Sequence, residues 1–217
     1  MNWRSITAVA LLMAAWVSPV QATVLVPDSF TDLDGITYDD DNSLFGVVIE
    51  DMSIPFSFSA YGGTVSGSVQ SRVVLNENGT YDFYWRVFND AESAGAIYSW
   101  RIGGFLEDIY DANWRIDSLG DVATSMALLF SDPGGFVNFY FTDDAGAATL
   151  LPGLSSHFFY IRSDATNYDM SAIYDLTNFG QTEISGLYST FAPAQVPTFG
   201  PLMLMLSGLL ALRRRQR

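Results

Sequence analysis

Cysteine and lysine are both missing from this 217-residue chain, and histidine occurs once, at position 157. Each absence removes a class of chemistry. Without cysteine there is no thiolate nucleophile, no disulfide scaffold and no thiolate metal site, so a folded body draws its stability from core burial alone. A Ser-His-Asp triad would have to use His157, yet no Gly-x-Ser-x-Gly elbow occurs and Ser155-Ser156-His157 matches no such motif. A histidine-based zinc site lacks its partners, and His157 reads as a polar residue at a strand edge. Positive charge is scarce as well: ten arginines stand against 24 acids. Five of the ten (Arg4, Arg213, Arg214, Arg215 and Arg217) lie in the 22 residues at either end, which hold no acid, so the body between them carries a formal charge of −19. Such a surface repels phosphate backbones and anionic lipid heads, which excludes nucleic-acid binding. Finally, no stretch of the body keeps an i, i+3, i+4, i+7 apolar pattern for three turns; Val122 to Phe130 comes nearest.

What is present begins at the termini. Met1 to Arg4 is a short positive start, Ile6 to Val17 an apolar core, and Val20-Gln21-Ala22 a small-x-small site. This pattern predicts a secretory signal peptide over residues 1–22, cleaved between Ala22 and Thr23. Pro19 ends the apolar helix where a peptidase needs extended chain. At the other end, Val196-Pro197-Thr198-Phe199-Gly200-Pro201 is a Pro/Gly breaker. An uncharged apolar run follows, and then Arg213-Arg214-Arg215-Gln216-Arg217. From Phe199 to Leu212 the run is 14 residues, short of the roughly 20 that a stable spanning helix wants. The terminal arginines would be held on the cytoplasmic side. A weak membrane stop of this kind suits a handling signal better than a permanent anchor, which is the alternative reading.

A short Pro-containing motif, one apolar helix and a terminal arginine cluster resemble the PEP-CTERM class of sorting signals, over residues 196–217. Val196-Pro197-Thr198 stands where that class has Pro-Glu-Pro, as in its Val/Ile-Pro-Thr variants. The resemblance implies recognition by an exosortase-like membrane protease in a Gram-negative bacterium that makes exopolysaccharide. Insertion in the inner membrane would be transient, after passage through the periplasm. The destination would be the cell surface or the extracellular matrix. It also implies the usual body of such proteins, rich in β-structure.

The body, residues 23–195, is long enough for one domain with a substantial core. Aromatic residues make up 15 % of the chain, charged residues only 16 %, and glycines number 18; that mix belongs to a sheet-rich fold with many tight turns. The dominant period is two. The clearest element is a hairpin from Val65 to Phe88 around Asn76-Glu77-Asn78-Gly79, a type I turn ending in a left-handed glycine. Pairing Asn76 with Thr80 sets Leu75 opposite Tyr81, Val73 opposite Phe83 and Ser71 opposite Trp85, which places both apolar sets on one side. Asp39 to Ser43 reads as a second hairpin turn, between Gly35–Tyr38 and Leu44–Ile49. Short strands continue through the second half, Ser125–Phe130, Phe136–Phe141, Ser156–Ile161, Ser171–Leu176 and Gln181–Phe191, making roughly ten in the body at intervals of about 10 to 15 residues. The expected fold class is all-β, an antiparallel sandwich or jelly roll.

A quasi-repeat runs through the middle: Trp85-Arg86-Val87, Trp100-Arg101-Ile102 and Trp114-Arg115-Ile116. On three consecutive strands of a meander, the tryptophans would stack in one core and the arginines would line the outer face beside Arg72 and Tyr84. Arg72, Tyr84, Arg86, Arg101 and Arg115 are therefore a candidate ligand face for an anionic polysaccharide, with guanidinium forks on carboxylates. The alternative is that these arginines pair with surface aspartates, Asp82 and Asp117 among them. Asp32, Asp34, Asp39 and Asp41 crowd oxygen ligands into two loops, candidates for calcium without EF-hand spacing; solvated turns are the other reading. The adjacent acids Glu50-Asp51, Glu107-Asp108 and Asp143-Asp144 point to opposite faces of any strand. They say little for a secreted glycoside hydrolase, which needs two converging carboxylates. The sequence thus points to an exported, non-enzymatic structural or interaction protein of the cell surface or exopolysaccharide matrix, with carbohydrate binding through the arginine face as the alternative.

Overall fold

Strong alternation on both arms of the central hairpin leaves one register that buries both apolar faces, and that register forms. In the computed structural model Leu75 pairs with Tyr81, Val73 with Phe83 and Ser71 with Trp85. The turn closes through Asn76 N–H to the Thr80 carbonyl (2.9 Å) and Gly79 N–H to the Asn76 carbonyl (3.0 Å). Gly79 has φ +86°, the left-handed value a side chain resists.

The described residues are 23–44, 46–105, 111–132 and 135–194; residues 1–22, with the expected cleavage site at Ala22, and the tail with Val196, Pro197, Thr198 and the arginine cluster lie outside them. The chain forms two antiparallel sheets. One has five strands in the order β2 (Val47–Ala60), β3 (Gly63–Leu75), β4 (Tyr81–Asn89), β9 (Phe159–Arg162) and β6 (Asp111–Trp114). The other has six: β1 (Phe30–Asp32), β7 (Met126–Phe130), β8 (Phe136–Tyr140), β5 (Ile97–Gly103), β10 (Tyr168–Asn178) and β11 (Tyr188–Pro193). Among the described residues the only helical element is a 3₁₀ turn at Asn42–Leu44, and no helix is long and apolar enough to cross a membrane. Val122 to Phe130, the nearest approach to a helical pattern, ends as β7.

Side chains from both sheets meet in one core. Val69, Phe83, Trp85, Phe159 and Ile161 come from the first sheet, and Trp100, Ile102, Val137, Phe139 and Leu176 from the second. The rings of Trp85 and Trp100 lie 4.8 Å apart, and Trp100 also contacts Phe159 at 5.1 Å and Tyr174 at 5.5 Å. Trp85 donates its indole N–H to Thr190 Oγ1 (2.8 Å), whose hydroxyl lies 3.1 Å from Ser71 Oγ, so the polar edge of the largest core residue is satisfied.

Two expectations are corrected here. The Trp-Arg repeats are not neighbouring strands of a meander. β4 and β6 belong to the five-stranded sheet with β9 between them, and β5 belongs to the other sheet. Trp85 and Trp100 consequently meet across the core. Trp114 lies at the margin, stacked on His157 at 4.8 Å with its indole N–H on the Leu33 carbonyl. Asp39 to Ser43 does turn, with Thr37 bonded to Asp40 and Ser43 to Asp41, but it closes no hairpin. Gly35–Tyr38 instead runs beside β6, where Ile36 N–H bonds the Trp114 carbonyl and Ile36 bridges Arg115 in parallel.

That segment decides the character of the five-stranded sheet. Residues 33–44 leave β1 and cross the sheet's outer face, burying Ile36 and Leu44 against Val74, Tyr84, Phe158 and Tyr160 in a second, smaller apolar cluster. Both faces of β4 and β9 are therefore covered.

Candidate functional site

The outer face of β4, β9 and β6 carries side chains in cross-strand rows. Asp111 pairs with Arg162, Asn113 with Tyr160, and Tyr84 with Tyr160; the same register sets Asp82 opposite Arg162. One guanidinium thus stands in a row between two carboxylates. Arg162 Nε is 3.8 Å from Asp82 Oδ2 and 3.8 Å from Asp111 Oδ2. The covering segment adds a third acid, since Arg162 Nη2 donates to Asp41 Oδ2 at 2.7 Å. Asp41 is held in turn by the N–H and hydroxyl of Ser43 on its other oxygen. Arg162 therefore clasps the covering segment to the sheet.

The charges are unevenly solvated. Asp82 is fully buried, and burial pushes its carboxyl up to about 6, against bonds from Asn76 and the Ser163 N–H and the charge of Arg162. Burial raises Asp111 too, with Arg162 opposing and Asp41 reinforcing. For Asp41 burial acts the same way, but the bonds from Ser43 and Arg162 outweigh it and hold the carboxyl below its ordinary value. Burial alone would loosen the proton on Arg162; the bond to Asp41 and the charges of Asp111 and Asp41 more than offset that and keep the guanidinium charged. Asp82 Oδ2, Asp111 Oδ1, Arg162 Nε and the Tyr160 hydroxyl are buried without a hydrogen-bond partner among the described residues.

Beside the clasp opens a cleft of about 360 Å³ built from three parts of the chain. Tyr38, Asn42 and Ser43 come from the covering segment, Asn76 to Asn78 from the β3–β4 turn, and Arg162 and Ser163 from the end of β9. Asp82 and Asp111, each 3.8 Å from one nitrogen, are at most about 8 Å apart, within the span of a hydrolytic carboxylate pair. Neither is among the described residues that line the cleft, and Asp82 is sealed from it. Their arrangement serves an ion cluster better than an acid–base pair.

The proposed ligand face is divided. Arg72, Tyr84, Arg86 and Arg115 do share the outer side of the five-stranded sheet; Arg101 sits on the other sheet, paired with Asp175. Tyr84 is not a surface ring: it is buried under the covering segment, donating its hydroxyl to the Leu44 carbonyl at 3.1 Å. The arginines are engaged. Arg72 bonds Asp51 at 2.9 Å and lies over Phe158. Arg86 donates to the Ser156 carbonyl and Ser155 Oγ and lies over Phe88. Arg115 pairs with Asp117 at 2.9 Å and lies over Tyr84. Of the two expected acidic partners, Asp117 pairs as anticipated, whereas Asp82 goes to Arg162. Among the described residues no three acidic or histidine side chains gather to hold a metal ion. Of the calcium candidates Asp32, Asp34, Asp39 and Asp41, the last already gives both oxygens to Ser43 and Arg162. His157 stacks on Trp114 with Nδ1 3.0 Å from the Leu119 carbonyl. Thr23, the expected mature N-terminus, is tied to β6, its carbonyl accepting from Ala112 N–H and its hydroxyl from Asn113.

Sequence reasoning missed Arg162, the one body arginine outside both the Trp-Arg repeats and the central hairpin. The signal was the run Phe158-Phe159-Tyr160-Ile161 just before it, apolar at every position instead of every second one, which marks a strand covered on both sides. No known family matches the chain, and neither the curated proteins nor the solved structures provide a match.

Proposed function

We propose that this chain is an exported, non-enzymatic β-sandwich protein of the cell surface or exopolysaccharide matrix, a structural and interaction module released from the inner membrane by an exosortase-like protease. The two antiparallel sheets with their common core support the sandwich. The observation that carries the destination is the tail, in which Val196-Pro197-Thr198, an apolar run of 14 residues and four arginines follow one another in the order of a PEP-CTERM-type signal. The export leader ending at Ala22 supports it independently, and a lysine-free body of charge −19 is soluble and self-repelling in an extracellular setting. Mass spectrometry of the protein recovered from the cell exterior tests the reading. The expected product begins at Thr23 and lacks the arginine cluster. An intact Arg213–Arg217 end confined to the membrane fraction would make the tail a plain anchor and sink the sorting proposal.

A further inference from the structure

We infer that the cleft beside Arg162 binds a neutral sugar unit of a polysaccharide, not an acidic one. The inference deepens the matrix reading above and rests on it only for the source of the ligand. The cleft, at about 360 Å³, is at the lower end of ligand-site sizes, room on the order of one or two sugar rings. Its walls are neutral and polar: the amides of Asn42, Asn76 and Asn78 stand among hydroxyls that already donate elsewhere, Ser43 to Asp41, Thr80 to Asn78 and Ser163 to the Tyr81 carbonyl. Asn42 offers a donor and an acceptor a few ångströms apart, which matches a vicinal hydroxyl pair, and Asn78, whose carbonyl oxygen accepts from Thr80, offers its amino group. Asn76 is fixed in the wall, its amino group on Thr80 Oγ1 and Asp82 and its carbonyl oxygen buried, so it shapes the cleft and leaves the bonding to the other two amides. Tyr38, 54 % exposed at the mouth, adds the aromatic surface on which a pyranose ring packs.

Electrostatics selects the class. Arg162 is the one cation among the described lining residues, and Asp41, Asp82 and Asp111 already crowd it. Glu77 adds a further acid to the lining. A uronate or sulfated sugar would meet net negative charge with no guanidinium fork left to receive it. A neutral sugar brings no charge to be repelled and finds hydrogen-bonding groups in place.

The test is binding of the secreted protein, as isolated, to immobilised neutral oligosaccharides and to polyuronates. Neutral glycans are expected to bind with polyuronates at least tenfold weaker. Tyr38→Ala and Asn42→Ala should each weaken neutral binding about tenfold, with the circular dichroism spectrum and melting temperature retained. Glu77→Gln, in an exposed turn, should narrow the discrimination against uronates. A preference for uronates, or neutral binding untouched by both Tyr38→Ala and Asn42→Ala, overturns the inference. Correctly processed exterior protein that binds no glycan does so too, and leaves the sorting proposal standing. Neutral-glycan binding by a chain that is never processed sinks the sorting proposal alone.

Discussion

Strand β4 is buried on both sides, and different physics holds each. Inward, Phe83, Trp85 and Val87 enter an apolar core of side chains from two sheets. Outward, Asp82 and Tyr84 lie under a single layer of chain, residues 33–44, joined by one guanidinium and three carboxylates. The inner face is governed by area and shape, which no change of pH alters. The outer face depends on which carboxylates are ionised, because an uncompensated buried charge costs more than a well-made ion pair contributes. The molecule therefore has a core that resists changing solvent and a cover that responds to it, and the candidate sugar cleft is built on the cover.

Removing the centre of the inner face is the largest expected disruption. Trp85→Ala deletes the ring that meets Trp100, Phe105 and Phe159 and leaves Thr190 without the indole donor. The cost should be about 5 kcal/mol, the upper end for a buried aromatic replaced by alanine. Denaturant unfolding should give the same loss at pH 5 and pH 7. A loss that changes with pH would mean that the inner and outer faces are coupled.

Arg162→Met tests the cover. It leaves Asp41, Asp82 and Asp111 facing one another without their shared cation, a cost of about 3 kcal/mol at neutral pH. The penalty should shrink on acidification as the three acids take up protons. Proteolysis near residues 33–44 should outpace global unfolding, since the clasp fastens that segment to the sheet. A penalty equal at pH 5 and pH 7 would show that Arg162 acts through the packing of its methylenes alone.

These two faces also mark how far the sequence could be read. The register of β3 on β4 was legible because both arms alternate strictly, so a slip of one residue exposes Val73 and Phe83 together. The same alternation correctly sent Trp85 and Trp100 inward. It could not say which sheet each strand would join, since a period of two specifies a face and not a neighbour; hence two stacked tryptophans were expected side by side and are found across the core. The clasp was hidden for a related reason. Asp82 and Arg162 lie 80 positions apart, and only the insertion of β9 between β4 and β6 makes them opposite residues. The covering of Tyr84 depended on the path of residues 33–44, whose acidic turns read equally well as a hairpin.

The smallest predicted effect isolates the cover from the core most cleanly. Asp82 has its carboxyl raised to about 6 by burial, against an ordinary value of 3.8 in the unfolded chain. A carboxyl whose folded value is raised favours folding when protonated. Its contribution is fully present below the unfolded value and is lost as pH rises through the folded one. Asp111 is shifted in the same direction, whereas Asp28, Asp40, Asp41 and Asp121 are lowered and act below pH 4. Between pH 4 and 7 the wild-type protein should therefore lose stability with rising pH through the clasp. Asp82→Asn keeps an oxygen for the Ser163 N–H and cannot ionise, so it should flatten that slope and gain about 2 kcal/mol at pH 7 relative to pH 4. Unfolding free energies of both proteins at pH 4, 5.5 and 7 measure it. A variant that follows the wild-type slope would place the titration elsewhere and leave the outer face held, like the inner one, by packing.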